Sequence, residues 1–185
     1  MNAESAIKGM RFAYADPPYF GMGRKMYDRP EWDDIQTHQT LVERLCDEYP
    51  DGWAMSASSV SLRDILPLCP EDCRIGAWVK PFAAFRPNVK PAYAWEPVVF
   101  RGGRPRSRSD ETWHDWHSEN ITMRKGFQGS KPPGFAQWIV RLLNADVRKN
   151  DTITDLFHGA GGMLGVWRVD PEQIIAQQTA TEEES

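Results

Sequence analysis

Met10-Arg11-Phe12-Ala13-Tyr14-Ala15 runs straight into Asp16-Pro17-Pro18-Tyr19, and the rest of the chain is read outward from this junction. The apolar run has the composition of a buried strand. Two consecutive prolines fix φ and disfavour helix in the residue before each, so the strand passes into a rigid, extended loop. Neither proline carries an N–H, and the backbone here offers mainly carbonyl acceptors. An acidic side chain, acceptor carbonyls and an aromatic ring are therefore displayed together at a strand's C-terminal end, where open α/β sheets bind their ligands. An exocyclic amine on a flat ring suits this display. The Asp16 carboxylate and the Pro17 carbonyl accept its two N–H groups while Tyr19 stacks on the ring face.

A chain of 185 residues implies one domain with room for a real core. The longest apolar runs fall far short of a membrane span and the start lacks a secretion pattern, so a cytoplasmic setting is expected. A formal charge of −4 argues against a protein that coats DNA by overall charge, but it is compatible with local basic patches. Three cysteines indicate reduced thiols rather than a disulfide framework. Eight tryptophans are unusually many; they are read either as filling core and surface grooves or, for one or two of them, as stacking on bases.

Residues 1–9 read as a short polar tail. After the tetrapeptide, Phe20 to Lys25 continue as a glycine-bearing loop carrying Arg24 and Lys25, and residues 24–36, without a period, read as a mobile loop over the site. The spacing of Leu41, Val42, Leu45 and Tyr49 predicts a helix over Thr37–Tyr49 with Thr37 as its cap. Gly52–Ala57 reads as a short buried strand, and Ser61-Leu62-Arg63-Asp64 as a capping box opening a helix that Pro67 stops. Arg74–Val79 is a further strand, residues 81–92 an irregular connection, and Tyr93–Phe100 a strand that Pro97 moves towards an edge.

Arg101, Arg104, Arg106 and Arg108 then cluster among Gly102, Gly103 and Pro105, either as a solvated loop or as contacts to DNA phosphates. Cys69, Cys73, His114 and His117 have spacings near those of a Cys2His2 site, but their wide separation leaves the pairing undetermined and no metal is assigned. Lys131-Pro132-Pro133 opens a helix that buries Phe135, Trp138, Ile139, Leu142 and Leu143. Asp151–Phe157 is a strand, followed by His158-Gly159-Ala160-Gly161-Gly162 and an apolar run to Trp167. Glycines in such a turn let the backbone approach a ligand closely and turn free N–H groups towards it. From about residue 176 the chain is polar and is expected to be disordered.

Asp16-Pro17-Pro18-Tyr19 resembles the catalytic motif of the S-adenosylmethionine-dependent amino-methyltransferases, which methylate adenine N6 or cytosine N4 in DNA; the aspartate form leans towards adenine. Trp78-Val79-Lys80 and Trp95-Glu96-Pro97-Val98-Val99-Phe100 resemble two later strands of that family, and Asp155 to Gly161 with upstream Lys131-Pro132 resembles its cofactor motif. The order, catalytic motif first and cofactor motif last, is similar to the permuted beta group and to short phage-encoded methylase-like proteins.

The resemblance implies an α/β fold, a truncated Rossmann-like methyltransferase sheet, mostly parallel, with helices on both faces. It implies S-adenosylmethionine as cofactor, bound by Ala15, Lys131, Pro132, Asp155, Phe157, Gly159 and Gly161, with Asp155 on the ammonium of the methionine moiety. It assigns catalysis to Asp16, Pro17, Pro18 and Tyr19. It places target recognition at about 101–130, with double-stranded DNA contacted by Arg24, Lys25, Arg101, Arg104, Arg106 and Arg108, in a bacterial or phage-infected host cell.

One departure stands against this. In the family a further strand ends in an acidic residue that holds the cofactor ribose, whereas here Asp170-Pro171 follows almost at once, so two strands are expected to be absent. Asp170 and Glu172 are the nearby acids, and a homodimer or hetero-oligomer would complete the pocket. Three readings stay open: a DNA adenine-N6 methyltransferase, a catalytically silent or partner-dependent DNA-binding homologue, and an RNA adenine methyltransferase.

Overall fold

The computed structural model describes residues 8–82, 89–121 and 131–157. Within them one sheet is built from β1 (Arg11–Ala15), β2 (Gly52–Ser56), β3 (Arg74–Val79), β4 (Trp95–Gly102), β5 (Trp116–Ser118) and β6 (Thr152–Asp155). The spatial order is β5-β3-β4-β2-β1-β6. β1 runs parallel to β2 and β6, and β3 parallel to β5, while β4 opposes both of its neighbours. The sheet is thus mostly parallel, as expected.

Strand alternation sends β1 side chains to two different cores. Phe12 and Tyr14 face α3 (Pro133–Leu142), which packs Phe135, Trp138 and Ile139 against them with Trp78 and Phe100. Ala13 and Ala15 face α1 (Ile35–Glu48), which contributes Leu41, Val42 and Leu45 alongside Trp53 and Val99. Helices therefore cover both faces, which explains why β1 and β2 are buried almost throughout rather than alternating with solvent. A one-turn helix, α2 (Leu62–Ile65), adds Ile65 to the second core.

Four local expectations are corrected. Helix α1 begins earlier than predicted because Asp34, not Thr37, caps it. The Asp34 carboxylate accepts the Gln36 N–H at 3.0 Å, and Thr37 instead donates its hydroxyl to the Glu31 carbonyl at 2.7 Å. The capping box at Ser61 does not form: its Oγ is buried without a partner among the described residues, and its carbonyl accepts the Asp64 N–H at 2.9 Å. The α-helix itself ends at Ile65, just ahead of Pro67 as expected, and passes into a 3-10 turn over Leu66–Leu68. Residues 24–36 are not an open loop. A single π turn (Gly23–Tyr27) and a 3-10 turn (Pro30–Asp33) are tied together by the Asp33 carboxylate, which accepts from the N–H groups of Gly23 and Arg24, over a buried Trp32.

The fourth correction concerns Pro97, which lies in β4 between β3 and β2 and not at an edge. The Pro97 carbonyl accepts the Ala57 N–H at 2.9 Å. Its missing N–H therefore faces the position just past Ser56, the last residue of β2, where no ladder bond is interrupted. Strand β5 was not expected at all, because three residues are too few to show an alternation.

Candidate active site

The C-terminal ends of β1 and β6 lie side by side. Tyr14 stands opposite Asp155 in the parallel register, and the Leu156 N–H donates to the Tyr14 carbonyl at 2.9 Å. The Asp16 loop and the segment entering the glycine turn therefore leave the sheet from neighbouring strands, at the edge where parallel sheets hold ligands. Asp155 is buried, and its carboxylate accepts the Phe157 N–H at 3.0 Å. Phe157 packs edge-on against Trp32, with ring centroids 5.3 Å apart. Ala15 is fully buried at the end of β1. Gly159 and Gly161, the helix expected after them, Asp170, Glu172 and the tail lie outside the described residues.

Lys131 organises the other half of the site. Its Nζ lies 3.1 Å from Asp16 Oδ1, 3.1 Å from Tyr19 Oη and 3.2 Å from Glu96 Oε2. The Tyr19 hydroxyl donates to the same Glu96 oxygen at 2.9 Å, and Lys80 binds the other one. Three rings surround the Lys131 ammonium: Trp78 at 5.4 Å, Tyr19 at 5.7 Å and Phe135 at 5.7 Å to centroid. The members come from four segments of the chain. Asp16 and Tyr19 follow β1, Lys80 follows β3, Glu96 opens β4, and Lys131 precedes α3, where Pro132 accepts the Phe135 N–H at 3.1 Å.

The charges balance as two carboxylates and two ammonium groups. Burial pushes the Asp16 carboxyl up from its ordinary value, and the neighbouring Lys131 pulls it back only in part. Burial would also raise Glu96, but Lys131 and Lys80 outweigh it and hold that carboxyl below the usual range. Burial acts to lower Lys131, yet Asp16, Tyr14 and Glu96 together keep it above an ordinary lysine. Burial, then Asp16 and Glu96, push the Tyr19 hydroxyl well above its ordinary value, so it stays a neutral donor. Lys80 and Glu96 carried no assigned role at the sequence level, although Trp78-Val79-Lys80 and Trp95-Glu96-Pro97 marked their strands.

The basic residues divide. The side chains of Arg24 and Lys25 are exposed on the π turn that follows Tyr19. Arg101 stands opposite Trp53 at the start of β2, and therefore at the opposite end of the strands from Asp16. It pairs with Asp72 at 2.7 Å. Arg104 forms a two-point contact with Asp151, whose carboxylate also accepts the Met10 and Asp146 N–H groups at 2.8 Å each. Arg106 binds the Arg141 carbonyl and Asn144, and Arg108 is exposed. Arg101, Arg104 and Arg106 thus stitch the fold and do not line the Asp16 site.

Among the described residues no group of three or more His, Cys, Asp or Glu is arranged to hold a metal. Cys69 and Cys73 pack on the α1 side of the sheet, whereas His117 stacks on Trp138 of α3 on the other side.

No family model matches the chain, and no curated protein matches it. Among solved structures it is similar to M1.HpyAVI. The crystal structure of the M1.HpyAVI–SAM complex aligns at a TM-score of 0.51 and 16% identity, covering 84% of this chain and 76% of that one. The crystal structure of M1.HpyAVI aligns at 0.50 and 13%, covering 86% and 75%. At this identity the likeness establishes architecture: the chain has the α/β, Rossmann-like fold of M1.HpyAVI.

Proposed function

We propose that the chain is an S-adenosylmethionine-dependent methyltransferase acting on an exocyclic amine of DNA, adenine N6. The observation that supports this most is the pairing of β1 with β6, which sets the Asp16 loop beside the chain entering the glycine turn. The residues present fit a cationic donor: β6 ends in the buried carboxylate of Asp155, and carboxylates and ring faces line the neighbouring cluster.

In this reading Asp155 takes the ammonium of the cofactor, with Phe157, the Ala15 backbone, Lys131 and Pro132 nearby and Gly159 and Gly161 beyond the described residues. S-adenosylmethionine would supply a methyl group on a positively charged sulfur that carries its own leaving group. No residue then has to activate a leaving group, and the protein's task is to hold the acceptor in line. Asp16 and the Pro17 carbonyl accept the two N–H bonds of the amine and turn its lone pair outward, while Pro18 keeps the loop rigid. Asp16 or solvent takes the proton released after transfer. Extruding a base from the duplex costs a few kcal/mol, and stacking on the Tyr19 ring offsets about 1–3 kcal/mol of that. Arg24 and Lys25, next to this loop, are placed to contact phosphates.

The test is incubation with methyl-labelled cofactor and mixed DNA and RNA, followed by digestion to nucleosides. Label in N6-methyldeoxyadenosine is the expected result. Label confined to RNA would move the substrate class, and no label in any nucleoside would overturn the enzymatic reading.

A further inference from the structure

An ammonium group has three N–H bonds, and each of the three on Lys131 has an acceptor: Asp16 Oδ1, Tyr19 Oη and Glu96 Oε2. Glu96 in turn is held by Lys80 and by the Tyr19 hydroxyl, so the lysine is fixed from both sides. Only 14% of the Lys131 side chain is exposed, and three rings surround its head. A saturated, caged cation of this kind has no N–H left for a ligand unless it gives one up. It is equipped to hold its neighbours still.

Resting on the methyltransferase reading, we propose that Lys131 is a positioning residue for the methyl acceptor rather than a cofactor contact. It fixes the Asp16 carboxylate and the Tyr19 ring relative to one another, and its charge favours the ionised form of Asp16, leaving the second carboxylate oxygen to the amine. The same clamp links the start of α3 to the β1 loop, so acceptor geometry is set by an element remote in sequence.

The charge argument gives the proposal a sign. The groups facing Asp16 are Lys131 ahead of α3, Glu96 on β4, Tyr14 on β1, Tyr19 on its own loop and Tyr27 on the π turn, with Lys80 behind Glu96. Removing the lysine charge raises the Asp16 carboxyl further. Removing the Glu96 charge lowers it, because Glu96 is a like charge. A residue that merely supported the fold would move both variants the same way.

The experiment measures the Asp16 carboxyl titration by carbon NMR of aspartate-labelled protein, with the resonance assigned by its loss in Asp16→Asn. The acid limb of methylation against pH is recorded in parallel. Lys131→Gln is expected to move both midpoints up by about one to three pH units, with activity recovering as pH rises. Lys131→Arg restores them towards wild type, and Glu96→Gln moves them down. Should Lys131→Gln fail to fold, Glu96→Gln still tests the sign, and a midpoint unmoved or moved up in that variant would overturn the proposal. Midpoints unmoved in Lys131→Gln, or shifted in the same direction in Lys131→Gln and Glu96→Gln, would overturn the proposal. Absence of methylation by the wild type would instead overturn the methyltransferase reading, and the carboxyl titration would still decide the role of Lys131.

Discussion

Tyr14 of β1 and Asp155 of β6 stand in register on neighbouring parallel strands, and the Tyr14 carbonyl accepts the Leu156 N–H at 2.9 Å. That bond continues the ladder one residue past β6 and sets the direction in which both chains leave the sheet. Asp16 and Asp155 are therefore positioned by one rigid, buried ladder rather than by two independent loops. The remaining elements hold the ladder from both faces.

Arg104→Ala is expected to unfold more easily by about 3–5 kcal/mol, because it leaves the fully buried Asp151 side chain with two backbone N–H partners but no counter-charge. Burial alone would raise the Asp151 carboxyl, but Arg104 and two backbone N–H groups outweigh it and hold it below 3.8. A lowered folded value means the pair's stabilisation is present above the unfolded value and lost as pH falls through the folded one. Urea unfolding from pH 7 to pH 3 checks this: the gap between wild type and Arg104→Ala closes at the acid end.

Two buried tryptophans should respond differently to loss of the indole N–H. The Trp78 Nε1 donates to the Glu119 carbonyl at 2.8 Å, whereas the Trp53 Nε1 is buried with no partner among the described residues. Trp78→Phe deletes a hydrogen bond to a half-buried carbonyl, while Trp53→Phe removes a buried donor that makes none. With a similar loss of volume in each, Trp78→Phe is expected to cost about 1–3 kcal/mol more, measured as the difference in urea midpoints at equal slope.

The basic residues near the site and those remote from it separate in their salt dependence. Arg24→Ala and Lys25→Ala should each flatten the slope of log affinity for duplex DNA against log salt by about one. Arg101→Ala, which breaks a pair with Asp72 at the opposite end of the strands, should leave the slope unchanged. Filter-binding or anisotropy titrations at several salt concentrations read this directly.

Much of this was legible in the chain. The strand at Arg11–Ala15 and its proline stop are written in apolar run and ring chemistry, and α3 in the spacing of Phe135, Trp138 and Ile139. The interior position of β4 was hidden because Pro97 penalises a strand only where its N–H would face a partner, which depends on where β2 ends. The Lys80–Glu96–Lys131–Asp16 cluster was hidden for a similar reason. Its members come from four segments, and only the sheet order β3-β4-β2-β1, with α3 packed across it, brings them together. Arginine clustering likewise says nothing of which residues already have carboxylates beside them, as Arg101 and Arg104 do.

The most direct measurement compares Asp16→Ala with Asp155→Ala in one assay pair, equilibrium binding of S-adenosylmethionine and single-turnover methyl transfer to duplex DNA. Asp16→Ala is expected to bind the cofactor as the wild type does and to transfer at least about a hundredfold more slowly, while Asp155→Ala loses binding itself. Wild-type transfer by Asp16→Ala, or wild-type cofactor affinity in Asp155→Ala, would contradict the account.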